Sequence, residues 1–151
     1  MMEIAIYDGN GQAVYLTVEE MVAQAPLLLP LDQRVPGIEG KAFDLKQWYF
    51  AWRAGRDELS PLPTYMLVEA VDQFQARIPW GQLDQAVLLY SQNGLPLEKG
   101  FPIRLYVPDG SSNCLNVKSI VRFDFIRNDE QGVEAEFGFK NRISTDELKK
   151  R

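Results

Sequence analysis

The sequence predicts an α+β fold with a largely antiparallel or mixed sheet and short flanking helices. Three observations carry this. Apolar residues alternate at Ile103, Leu105 and Val107, and again over Val121–Phe125 and Val133–Phe139. Such period-two runs mark strands with one buried face. Two stretches, Val18–Ala25 and Leu45–Trp52, instead repeat their apolar residues at i, i+3, i+4, i+7, the signature of a helix face. Turn dipeptides and prolines punctuate the chain between these runs, as at Asn93-Gly94, Pro102 and Pro108.

The elements follow in order. Glu3–Tyr7 and Ala13–Leu16 read as two strands around the hairpin turn Asp8-Gly9-Asn10-Gly11. That turn has the residue types of a calcium loop, but not the twelve-residue spacing or the closing Glu. Thr17 is the expected N-cap of the first helix, with Glu20 completing a capping box. Pro26 ends that helix. Residues 26 to 40 form a proline- and glycine-marked connector whose leucines are expected to pack on the core. Asp44 opens the second helix, with Gln47 at the capping-box position and Gly55 at C′. Its tryptophan-rich face, Trp48 and Trp52, is expected to be buried.

Thr64–Val71 and Phe74–Ile78 read as strands around Asp72-Gln73, and Pro79-Trp80-Gly81 as a turn. Ala86–Tyr90 is a strand entering the Asn93-Gly94 turn. The two alternating runs after Lys118 predict an antiparallel hairpin around Asn128–Gly132. Ser144 or Thr145 would cap a short terminal helix. At 151 residues, with no linker or repeat, the chain is expected to be one domain, 1–151.

Composition excludes several functions. The chain is 46% hydrophobic and 25% charged, with a net charge of −5 and no basic stripe, which disfavours nucleic acid. No apolar run approaches the ~18 residues of a membrane span, and no signal peptide is visible. A cytoplasmic location is expected. The chain has no histidine and one cysteine. This excludes a Ser-His-Asp triad, a Cys-His dyad and a histidine metal site. No catalytic residue and no metal ligand are therefore assigned. Cys114, with no base to activate it, is expected to be a small core residue.

The stretch Asn93-Gly94-Leu95-Pro96-Leu97, then Lys99-Gly100-Phe101-Pro102-Ile103-Arg104-Leu105, Pro108, and Val117-Lys118-Ser119 resembles the C-terminal signature of the sulfite oxidase-like, molybdopterin-binding oxidoreductase domain. That signature runs roughly Asn-Gly-x-Pro-Leu, His-Gly-x-Pro-apolar-Arg-apolar, Pro, and Val-Lys-Trp. Leu16–Met21, the helix opened by Asp44-Leu45, and Asp72-Gln73-Phe74 resemble earlier parts of the family more weakly. The resemblance implies the sulfite oxidase-like fold. It also implies that Arg104 and Lys118 serve the anionic end of the family's site.

The departures are specific. The family's molybdenum-binding cysteine lies between its first two helices, here Ala25–Phe43, where no cysteine occurs. Lys99 stands for the family's histidine and Ser119 for its tryptophan. The resemblance therefore implies a degenerate, non-catalytic domain with no cofactor expected. The remnant cleft would hold a small anionic or phosphate-bearing ligand through Arg104, Lys118 and Lys99, helped by Ser111, Ser112 and Asn113. In the plainer alternative, Arg104 pairs with a carboxylate at the core edge and Lys118 is solvated. Two further functions stay open: an active minimal molybdopterin-dependent oxidoreductase, and a scaffold that docks a protein partner.

Overall fold

The computed structural model describes residues 2–9, 11–56, 60–129 and 132–140. The expected terminal helix at Ser144 or Thr145 lies outside these residues, as do Asn10 of the first turn and Glu130-Gln131 of the last.

The described chain is a mixed, sheet-rich fold with two helices. Strands β1 (Ile4–Tyr7) and β2 (Ala13–Leu16) pair antiparallel. Helix α1 (Val18–Gln24) starts at Thr17, whose Oγ1 accepts from the Glu20 amide while Glu20 accepts from the Thr17 amide. This is the capping box that the spacing predicts. Strands β3 (Leu28–Pro30) and β4 (Lys41–Asp44) pair antiparallel around a 3₁₀ turn at Leu31–Gln33. The expected irregular connector thus contains an edge strand. Alternation along it buries Leu29 and Leu31 and leaves Leu28 exposed.

Asp44 caps α2 (Leu45–Ala54), accepting from the Gln47 amide at 2.7 Å. Gly55 ends the helix at φ −84°, so the expected left-handed cap does not form. Trp48 and Trp52 are buried and stacked at 5.6 Å. Strands β5 (Tyr65–Ala70) and β6 (Phe74–Pro79) form a hairpin whose turn places Gln73 at φ 72°. After a 3₁₀ turn at Trp80–Gln82 come β7 (Val87–Gln92), β8 (Leu95–Pro96) and β9 (Arg104–Tyr106). A third 3₁₀ turn, Asn113–Leu115, precedes β10 (Ile120–Ile126) and β11 (Glu136–Phe139).

Two sheets result. The six-stranded sheet has the order β11-β6-β5-β10-β1-β2, with β1 and β10 parallel and its other pairs antiparallel. In the second sheet β4 lies between β3 and β7, and β7 carries β8 and β9 along its other edge. The expected hairpin between the last two strands is not formed. Both edges of β10 are occupied, by β5 and by β1, and β11 pairs with the open edge of β6 instead. Either pairing satisfies the same alternation, so periodicity does not choose the partner.

The main core lies between the inner face of the six-stranded sheet, α2, Met21 of α1, and one face of the second sheet through Phe43, Leu88 and Leu105. A smaller apolar layer covers the other face of the second sheet: Leu29, Leu31, Ala42, Val87, Leu89, Leu97 and Tyr106. Among the described residues no helix is long and apolar enough to cross a membrane.

Candidate functional site

Strand β9 carries Arg104. On one side it pairs with β7, opposing Leu89 to Arg104. On its other side Leu105 and Val117 exchange two backbone hydrogen bonds, of 2.8 and 3.1 Å. Reciprocal bonding sets Leu105 opposite Val117, and hence Arg104 opposite Lys118. Leu105 and Val117 point into the main core. Side chains alternate along a strand, so Arg104 and Lys118 share the opposite face, at the margin of the smaller apolar layer. The pairing breaks after Lys118. Ser119 takes φ 54°, and the Ile120 amide bonds the Ile103 carbonyl, so one extra residue bulges out.

Arg104 is half-buried and Lys118 exposed. The guanidinium of Arg104 lies over the Tyr106 ring at 5.3 Å, and its aliphatic stem lies against Gly100. Gly100 sits at φ +88°, and a Cβ there would overlap Cγ and Cδ of Arg104. Its carbonyl accepts from the Ser119 amide at 3.2 Å. The preceding residue, Lys99, is exposed. Among the described residues neither Arg104 nor Lys118 has a carboxylate partner. Arg34 pairs instead with Asp44, the cap of α2, at 2.5 Å.

The loop residues fall elsewhere. Ser111, Ser112 and Asn113 lie past the end of β9 away from Arg104, in the loop that leads into the Asn113–Leu115 turn. Two of their polar groups are already engaged. The Ser111 amide donates to Gln82 Oε1 at 3.1 Å, and Ser112 Oγ accepts from the Cys114 amide at 3.1 Å. The structure thus sets Arg104 opposite Lys118, places Lys99 one residue before the Gly100 that meets the Arg104 stem, and leaves Ser111–Asn113 at the other end of β9. The sequence places them in one loop system, but the hairpin separates its two ends. Cys114 is exposed rather than in the core. In the same 3₁₀ turn Leu115 takes the buried position.

One buried network was missed by the sequence reading. The Tyr49 hydroxyl donates to Asp8 Oδ1 at 3.0 Å and accepts from Arg127 Nη2 at 2.7 Å. Arg127 Nη1 donates to Asp8 Oδ1 at 2.8 Å. Burial, reinforced by the negative charge of Asp8, pushes Tyr49 up to about 12. The three residues lie far apart in the chain, and no local motif announces them.

The donor set separates two ends of a molybdopterin. Adjacent guanidinium and ammonium groups without acid partners suit a phosphate. At the metal end, segment 25–43 offers no cysteine thiolate. Residues 53–134 match the family described as oxidoreductase molybdopterin binding domain, a span that contains both Arg104 and Lys118. No curated protein gives a significant match. The family match overturns the expectation of no cofactor, since this family binds molybdopterin. A missing cysteine speaks to one metal ligand and leaves the pterin and its phosphate untouched. The match covers more than half of the 151 residues and runs from the end of α2 to just before β11: this chain belongs to the molybdopterin-binding oxidoreductase domain family.

Proposed function

We propose that the domain has the sulfite oxidase-like fold and binds a phosphate-bearing anion at Arg104 and Lys118, with Lys99 as a helper. The phosphate of a molybdopterin is the first candidate. We further propose that the domain binds this group without carrying out molybdenum redox chemistry. A molybdopterin carrying molybdenum would supply a redox-active metal centre when bound. The part of this chain is to hold and orient the phosphate end through the planar fork of Arg104 and the point charge of Lys118.

One observation carries the reading. Arg104 and Lys118 stand directly opposite on one strand face, with no acid between them among the described residues. Like charges in that position oppose each other. An anion between them turns repulsion into two charge-assisted hydrogen bonds. Net charge cannot supply the attraction, since the chain is acidic at −5, so the pair itself must.

Calorimetry with inorganic pyrophosphate and with a pterin phosphate tests this. Arg104→Ala and Lys118→Ala should each weaken binding about tenfold, from one lost charge-assisted bond. Arg104→Lys should weaken it too, although charge is kept. Unchanged affinity in all three variants would refute the reading. The family match favours a second reading, an active minimal oxidoreductase. Turnover by molybdopterin-loaded protein would establish that one instead.

A further inference from the structure

The second sheet has another concave site, on the side away from Arg104. A groove of about 440 Å³ runs between α1 and the β7–β8 hairpin with the loop that follows it. That volume lies within the roughly 300–1,000 Å³ of small-molecule sites. Tyr90 forms part of its wall. Its neighbour Leu89 shares a face with Arg104, so the Tyr90 ring projects to the opposite face, where it packs against Phe43 at 6.0 Å.

The groove exists because α1 is short and incompletely covered. It buries Met21 fully, while Val18 and Val22 are only half-buried. Across from them stand Leu95, 62% exposed, and Phe101, 44% exposed. This is a concentrated apolar surface around a concavity.

Its polar groups are few. Among the described residues, Glu19 is the one acidic or basic side chain on the lining. The Tyr90 hydroxyl has no hydrogen-bond partner among the described residues, and burial raises its pKa, so the ring stays a neutral phenol at physiological pH. Ser91 is self-satisfied, its Oγ donating to the Leu95 carbonyl at 3.0 Å.

We propose that this groove binds an apolar organic cation, a hydrophobic amine or quaternary ammonium. Its apolar body lies against Val18, Val22 and Leu95, and its cationic end meets Glu19 and the aromatic faces of Tyr90 and Phe101. The reason is charge complementarity. Glu19 is exposed, so a neutral apolar molecule seated here leaves the carboxylate in water and gains nothing from it. An anion is repelled by it. A cation is attracted by the carboxylate and by both ring faces. The site and its ligand class are independent of the phosphate site, which lies on the other face and prefers the opposite charge.

An NMR titration of isotopically labelled protein tests this with three probes: benzyltrimethylammonium, benzyl alcohol and phenylacetate. The cation should give saturable shifts confined to α1, Tyr90–Pro96 and Phe101-Pro102. It should bind about tenfold more tightly than the other two, the combined effect of one exposed ion pair and one cation–π contact. Glu19→Gln, at an exposed position, should weaken it about threefold to fivefold. Val22→Trp should fill the groove and abolish it, and Arg104→Ala should leave it unchanged. Equal affinity for the three probes, shifts elsewhere, or full affinity in Glu19→Gln would overturn the proposal.

Discussion

Tyr49→Phe tests the network that ties the first hairpin, α2 and the end of β10 together. The Tyr49 side chain is fully buried against Trp80 and Phe125, at ring distances of 5.3 and 4.3 Å. Phenylalanine fills the same space, so no cavity forms. What is lost is one bond donated to Asp8 and one accepted from Arg127. Hydrogen bonds to charged partners contribute ~1.5–3 kcal/mol each. Asp8 and Arg127 keep their own 2.8 Å contact, and Arg127 Nε keeps its 2.5 Å bond to the Pro61 carbonyl. The expected cost is therefore ~2–4 kcal/mol, below the sum of two full bonds. The pH dependence has a definite sign. Tyr49 is raised to about 12 when folded, against ~10 in the unfolded chain. Its stabilisation is fully present below pH ~10. It is lost as the pH rises toward 12, because the unfolded chain then releases a proton that the folded chain holds. That window removes ~2–3 kcal/mol from the wild type and nothing from Tyr49→Phe through this group. Urea unfolding of both proteins at about pH 8, 10 and 11.5 measures it. The gap between them should narrow with rising pH. A gap under ~0.5 kcal/mol at pH 8, the size of an ordinary surface substitution, or one that stays constant to pH 11.5, would refute the reasoning.

Other outcomes follow from the same geometry. Trp52→Ala removes a ring stacked on Trp48 and 6% exposed, and should cost ~3–5 kcal/mol in chemical denaturation. Gly100→Ala places a side chain at φ +88° and against the stem of Arg104. It should cost ~1–3 kcal/mol and weaken pyrophosphate binding as well, which calorimetry on the folded variant reads. Lys118→Glu sets an acid opposite Arg104. Thermal unfolding should show a gain of ~0.2–1 kcal/mol while pyrophosphate binding disappears. A loss of stability there would mean that the two side chains do not face each other.

Much of this protein was legible residue by residue. Thr17 and Glu20 cap α1 because two side chains three residues apart satisfy each other's amides, a purely local geometry. Trp48 and Trp52 face inward because a helix repeats every 3.6 residues. The alternation around Ile103 and Leu105 placed Arg104 on the face opposite the main core. The absence of histidine removed whole classes of catalysis before any fold was known.

Partner choice was not legible. The run at Val133–Phe139 has the right period for a strand, yet nothing in it specifies β6 rather than β10. The Asp8–Tyr49–Arg127 network and the opposition of Arg104 to Lys118 likewise depend on which backbones meet. So does the separation of Ser111–Asn113 from those cations, since a hairpin carries the two ends of one loop system apart. The physical reason is common to all of these. Caps, turns and periodicity arise from interactions within a few residues, and the sequence by itself determines them. Strand partners, buried polar networks and converging charges arise from contacts between distant segments, whose geometry only the packed tertiary structure decides.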